Sequence, residues 1–161
     1  MELKMKVFAG WMDRDSGLFI PKENGAVGDG FDTEPIFDEV VCDLVNLTPH
    51  PCVIFDDAGE EEIARIAPSG QVARVQTLAI PEREDFVIDG HYVPVVATSY
   101  GEVENLPVPK DGTIYIVSVL VVTAFRMKGV TRTDVLAPDT GPESVVRDGE
   151  GRIMGVRRFT R

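Results

Sequence analysis

The sequence has few of the residues on which metal sites and nucleophilic catalysis depend. It contains two cysteines, Cys42 and Cys52, and two histidines, His50 and His91. His50 and Cys52 would share one face of a strand, but no second ligand pair such as Cys-x-x-Cys accompanies them. Dinucleotide-binding, Walker and Gly-x-Ser-x-Gly motifs are also absent. We therefore predict a non-enzymatic protein with no catalytic residues, no metal site and no cofactor.

Long hydrophobic runs are missing as well. The longest, residues 114–125, is interrupted by Ser118 and Thr123, whereas a membrane-spanning helix needs about 20 apolar residues. The first six residues contain no apolar signal core, and both cysteines lie in apolar runs that favour buried free thiols over a disulfide. These features predict no membrane association and a location in the bacterial host cytoplasm, or in the virion if the source is a virus.

Positive charge is scarce over most of the chain. The formal net charge is −11, with −14 up to Phe125 and +3 from Arg126 onward. The basic end could contact an acidic partner, although neutralisation of its own fold or of a neighbouring subunit is the favoured interpretation. Because the acidic field repels phosphate at long range, nucleic-acid binding is not expected.

Residues 1–39 differ from the rest and are predicted to form a loop-rich N-terminal arm. Gly, Asp and Asn are frequent enough to favour turns, with one short strand around Val7. The arm nevertheless carries five aromatic residues that need burial, on its own domain or on a partner. These predicted interface residues are Phe8, Trp11, Phe19, Phe31 and Phe37.

Residues 40–161 are predicted to form one β-rich domain. Short β-branched runs alternate with turn signals, and Asp89-Gly90 favours a type I′ hairpin turn. Residues 114–118 predict a buried strand, and a second hairpin is expected over 144–156. Residues 119–128 suit either strand or helix, and we favour a strand followed by a helix that ends near Gly129. The predicted class is mainly β, a small barrel or sandwich with one or two short helices.

Four side chains are candidates for an anion-binding pocket. His50 is held between two prolines, and Arg132 and Arg147 could each grip an anion with two hydrogen bonds. Tyr115 would complete the lining. The competing interpretation is that the arginines form internal ion pairs and that His50 bonds nearby backbone.

Several segments resemble a family of short uncharacterised proteins of bacteriophages and prophages. They cover about two-thirds of the chain and are Asn46-Leu-Thr-Pro-His-Pro, Gly101-Glu-Val with Leu106-Pro-x-Pro, Gly112-Thr-x-Tyr-Ile-Val-Ser, Arg132-x-Asp with Pro138, and Val146-Arg-Asp-x-x-Gly with Gly155. The resemblance implies a phage context and no particular activity.

Two functional hypotheses follow. In the first, the protein is a phage structural or accessory subunit, such as a capsid decoration or stabilising protein, that buries its aromatic arm on a capsid protein or on its own subunits in a homo-oligomer. In the second, it is a ligand-binding module that sequesters an anionic, nucleotide-like signal through the four candidate side chains.

Overall fold

The computed structural model describes residues 2–13, 19–21, 33–82 and 86–161. The chain divides into two compact units, Met1–Asp43 and Leu44–Arg161. The predicted domain boundary, between residues 39 and 40, lies four residues before the boundary between these two units. Both positions fall inside one continuous strand, Thr33–Asn46.

The first unit consists of strands in its described part. They are β1 (Glu2–Asp13), β2 (Phe19–Pro21) and the first residues of β3 (Thr33–Asn46). β1 pairs antiparallel with both neighbours, and its register with β3 runs from Glu2 opposite Asp43 to Asp13 opposite Thr33. The expectation of a loop-rich arm is therefore corrected for these residues, because cross-strand pairing extends the one short predicted strand to twelve residues. Residues 14–18 and 22–32 lie outside the described part.

In its described residues, the second unit contains the end of β3, the eleven strands β4 to β14, and one helix. In chain order the strands are β4 (Cys52–Phe55), β5 (Glu62–Ile66), β6 (Arg74–Pro81), β7 (Phe86–Ile88), β8 (His91–Val93), β9 (Val96–Glu104), β10 (Thr113–Ile116), β11 (Val135–Pro138), β12 (Val145–Arg147), β13 (Ile153–Val156) and β14 (Phe159–Thr160), and helix α1 (Val119–Lys128) lies between β10 and β11.

These strands form open sheets. One sheet has the order β14-β11-β10 followed by the end of β3, and another has the order β12-β13-β4-β5. The main core lies between α1 and the first sheet and includes Tyr115, Val117, Val121 and Ala137. The predicted mainly β class is thus confirmed, and the arrangement is sandwich-like, with no closed barrel among the described strands.

Helix α1 resolves the ambiguous segment after the buried strand. All of Val119–Lys128 is helical, including the first residues that we expected to be strand. The β-branched preference is overridden because Val121, Val122 and Ala124 pack into the core. The helix ends as predicted at Gly129, which adopts a left-handed conformation with φ 66°. No helix in the described ranges is long and apolar enough to cross a membrane.

Both predicted hairpins are present. β7 pairs antiparallel with β8 across Asp89 and Gly90, and both turn residues have positive φ, as a type I′ turn requires. β12 pairs antiparallel with β13. In the turn between these strands, the Asp148 carboxylate accepts hydrogen bonds from the backbone of Glu150 and Arg152.

Candidate functional site: a β-ribbon with exposed faces

A two-stranded ribbon is the most unusual feature of the second unit. β6 and β9 pair antiparallel from Arg74 opposite Glu104 to Pro81 opposite Val96 and form a sheet of their own. The β7–β8 hairpin lies between them in the chain. We call the described residues from Arg74 to Glu104 the ribbon.

The base of the ribbon is fixed to the core. Ala73 is buried in the main hydrophobic cluster, and Val75 and Val103 pack against that cluster from the two strands. An ion pair of 2.7 Å joins Lys128 Nζ on α1 to Glu102 Oε1 on β9. The base is therefore held by packing from both strands.

Beyond its base, β6 and the β7–β8 hairpin are exposed throughout, and β9 alternates between exposed and half-buried residues. All residues from 76 to 82 and from 86 to 94 are exposed, although neighbouring residues of a strand point to opposite faces. The exposed fractions reach 61% for Phe86, 62% for Val87 and 73% for Tyr92. The large apolar side chains among them are Leu78, Ile80, Phe86, Val87, Ile88, Tyr92 and Val93, and Val96 of β9 is an eighth exposed one.

The exposed strands also carry almost no charge. No Asp, Glu, Lys or Arg occurs from Val75 to Pro81 or from Tyr92 to Gly101, in a chain with 43 such residues. Strand edges exposed to water are usually protected by charged residues, prolines or bulges. The one irregularity in the β6–β9 pairing lies at the base, between Val75 and Thr77.

These properties make the ribbon a candidate interface. An isolated two-stranded hairpin is at best marginally stable in water, and it needs further strands or packing against an apolar face. Contiguous exposed apolar surface on a soluble protein marks a site of interaction. Covering the ribbon would both satisfy its free strand edges and remove its apolar side chains from water.

The four side chains predicted to line an anion-binding pocket do not lie together in the structure. Tyr115 is buried in the core on β10. Arg132 donates two hydrogen bonds of 2.7 Å to the two carboxylate oxygens of Asp134 and one of 3.0 Å to the Pro107 carbonyl oxygen. Its side chain is 16% exposed. The internal ion pair that competed with anion binding is therefore formed, and it lowers the pKa of Asp134 below its usual range.

The other two candidates lie elsewhere. His50 is exposed and lines an open groove of about 410 Å³ with Cys52, Pro138 and Met154. Arg147 donates a hydrogen bond of 2.7 Å to the Gly151 carbonyl oxygen, within the hairpin that contains it. Neither the His50 groove nor the surroundings of Arg132 includes Arg147.

The segment Asn46-Leu-Thr-Pro-His-Pro has a structural explanation. Asn46 is 1% exposed, and its Nδ2 donates hydrogen bonds of 2.9 Å to the carbonyl oxygens of His50 and Ile66. Its Oδ1 accepts hydrogen bonds from the backbone N–H and the hydroxyl of Thr48. One side chain thus fixes the turn that leads from β3 into β4.

A second groove, of about 350 Å³, lies at the C-terminal end of α1. Its apolar wall includes Val122 and Phe125, and its rim includes Arg126, Arg132 and Arg161. Arg126 donates a hydrogen bond of 3.2 Å to the Thr160 hydroxyl, and Arg132 is bound to Asp134. This groove is the place in the second unit that comes nearest to an anion site.

The two cysteines are free and buried, as predicted. Burial raises the pKa of the Cys52 thiol to about 11, so this thiol is protonated and unreactive at neutral pH. Within the described ranges, no group of three or more His, Cys, Asp or Glu side chains could hold a metal ion.

The predicted aromatic interface belongs to the first unit. Phe8 lies opposite Phe37 in the β1–β3 pairing, and Phe19 lies opposite Met12 in the β1–β2 pairing. Trp11 is half-buried. Phe31 lies outside the described residues. The role of these aromatic residues as an interface stays a prediction.

Comparison with known proteins gives no match, whether with protein-family models, with curated proteins or with solved structures. The phage resemblance therefore stays an expectation from sequence, and the geometry of the ribbon carries the functional argument.

Proposed function

We propose that this chain is a non-enzymatic structural or accessory protein that acts by burying its ribbon against a protein surface. The observation that carries the proposal is the unbroken exposure of residues 76–82 and 86–94, which contain seven large apolar side chains. The phage context implied by the resemblance favours a capsid or virion subunit, such as a decoration or stabilising protein.

The energetic reason is the area that would leave water. At roughly 25 cal/mol per Å² of apolar surface, covering even half of these side chains would contribute on the order of 10 kcal/mol. Much of that gain is offset by the lost freedom of the two partners. The free energy of binding that remains is large enough to hold a stable protein complex together.

The ligand-binding hypothesis receives less support. The Arg132 guanidinium already has two carboxylate oxygens and one carbonyl oxygen as partners, so an anion would have to displace Asp134. Tyr115 is buried, and His50 lines a different groove. A common pocket for these residues would require a rearrangement of the core.

The test is incorporation into particles of the phage whose genome carries this sequence. A tagged chain is supplied during infection, and purified particles are assayed for it. We expect the wild-type chain in the particles and at least a tenfold loss for Ile80→Glu, because a carboxylate buried in an apolar interface without a partner costs several kcal/mol.

The matched control is Ile63→Glu. Ile63 is 60% exposed, compared with 51% for Ile80, and it lies on β5, outside the ribbon. We expect this variant to be incorporated like the wild type. Absence of the wild-type chain from particles, or equal incorporation of both variants, would contradict the proposal.

A further inference from the structure

We propose that the surface covering the ribbon is the ribbon of a second copy of this chain, in a dimer with a two-fold axis. This inference rests on the proposed function and names the partner. A two-fold interface brings the same patch of both subunits together, so each patch must be complementary to itself. The ribbon meets that condition because its strands carry no charged residue over Val75–Pro81 and Val96–Gly101, and among the described strands none pairs with their outer edges.

The available area fits a dimer. Eight large apolar side chains that are 40–73% exposed present on the order of 800 Å² per chain over the two faces, so an interface that covers most of them would be of standard size. Leu78 and Ile80 lie on one face, opposite Ser99 and Ala97 of β9. In a pair joined along the outer edge of β6, Leu78 and Ile80 would contact side chains on the same face of the second ribbon.

Charge points to the same location. Two chains of net charge −11 repel each other over most of their surface. The ribbon strands are uncharged from Val75 to Pro81 and from Tyr92 to Gly101. Two copies can therefore approach each other at this surface with little electrostatic repulsion. A strongly basic partner would instead be recognised by a surface rich in carboxylates.

The outer edges of β6 and β9 provide a structural reason for two chains to pair. Two ribbons that pair edge to edge form a four-stranded sheet, and three or more strands with an apolar face are what independent stability requires. Pairing would also hydrogen-bond backbone groups that the β6–β9 ladder leaves unused at the joined edge.

The first measurement is the mass of the purified chain in solution, by sedimentation equilibrium over a range of micromolar concentrations. We expect a dimer for the wild type and for Ile63→Glu. For Ile80→Glu we expect the dissociation constant to rise at least tenfold, because two added carboxylates would face the same apolar interface. A wild-type chain that stays monomeric, or equal association of both variants, overturns the inference.

Cysteine crosslinking provides a second readout that does not depend on destabilising the dimer. The native cysteines are buried, so single cysteines placed at the exposed positions Thr77, Ala79 and Thr98 should react without background. We expect at least one of them to form a disulfide between chains under mild oxidation. Ile63→Cys is the control and should give none. A dimer that none of the three positions crosslinks would show that the chains associate elsewhere, and this too overturns the inference.

Hydrogen exchange of the ribbon amides separates failure of this inference from failure of the proposed function. A monomer with rapidly exchanging ribbon amides would refute self-association while leaving another protein as the partner. A monomer with protected ribbon amides would refute both, because the ribbon would then be covered by its own chain.

Discussion

Replacing Asn46 tests whether one buried amide holds the turn between β3 and β4. In Asn46→Ala the carbonyl oxygens of His50 and Ile66 lose their donor, and the Thr48 backbone N–H loses its acceptor. Each hydrogen bond contributes a net free energy of about 1 kcal/mol, and a buried group left without a partner costs about 1–3 kcal/mol. The Ile66 oxygen is buried, while the groups of Thr48 and His50 can reach water. We therefore expect the free energy of unfolding to fall by about 3–4 kcal/mol.

The assay is urea denaturation followed by circular dichroism, with the slope compared between variants to check that both unfold in the same way. Asn46→Asp keeps the shape and the acceptor oxygen but places a carboxylate against two carbonyl oxygens, so we expect it to lose at least as much stability. Gln71→Ala is the control, because it removes one exposed hydrogen bond of 2.7 Å to the Asn105 carbonyl oxygen and should cost under about 1 kcal/mol. A loss below about 1 kcal/mol for Asn46→Ala would refute the proposed role.

Three further changes have defined outcomes, each measured by urea denaturation. Arg132→Met should cost about 2–4 kcal/mol at neutral pH, since it leaves Asp134 without its partner. The ion pair depresses the pKa of Asp134, so its contribution to the free energy of unfolding is fully present above the unfolded-state pKa of about 4 and is lost on acidification. The difference in unfolding free energy between wild type and Arg132→Met should therefore narrow as the pH falls below about 4. A gap that stays constant with pH would contradict this. Gly155→Ala should cost about 2 kcal/mol or more, because its Cβ would lie 2.5 Å from the Val53 carbonyl oxygen and 2.9 Å from the Phe55 ring. Gly129→Ala should cost about 1 kcal/mol for its positive φ alone, while Gly149→Ala, with no atom within 4 Å of the added Cβ, should stay within about 0.5 kcal/mol of wild type.

Local signals in the sequence predicted much of the second unit. Asp89-Gly90 and Gly149-Glu-Gly151 fix turns through backbone conformations that glycine and aspartate favour, and Gly129 ends α1 for the same reason. The buried strand β10 follows from its unbroken apolar run. The first turns of α1 could not be predicted, because β-branched residues there are helical only through their packing against the core.

The length of the first unit's strands had no comparable local signal. Residues 2–13 include Gly10 and several charged residues, a composition that does not favour a long strand by itself. Their extended conformation follows from pairing with β3, a partner more than twenty residues away in the sequence. Long-range pairing of this kind is not visible in propensity or periodicity.

The candidate site was missed for a related reason. The turn signal at Asp89-Gly90 correctly indicated a hairpin, but an apolar strand has the same pattern whether its own chain or a partner covers it. The aromatic residues of the arm drew attention because rings in turn-rich sequence need an explanation. The charge-free interval from Tyr92 to Gly101 could not identify the ribbon, because the longer charge-free intervals 44–55 and 112–125 contain the buried strands β4 and β10.

The chemically suggestive motifs turn out to be local structural devices. Arg132 is neutralised by Asp134 two residues away, Arg147 bonds a carbonyl four residues away, and Asn46 binds its own turn. Each group has at least one partner nearby in the sequence, so its presence carries information about the fold and little about a ligand. The ribbon is the reverse case, because its side chains lack covering partners over a whole described segment. Contiguous exposed apolar surface is typical of an interaction site, and this is the physical basis of the function proposed for the ribbon.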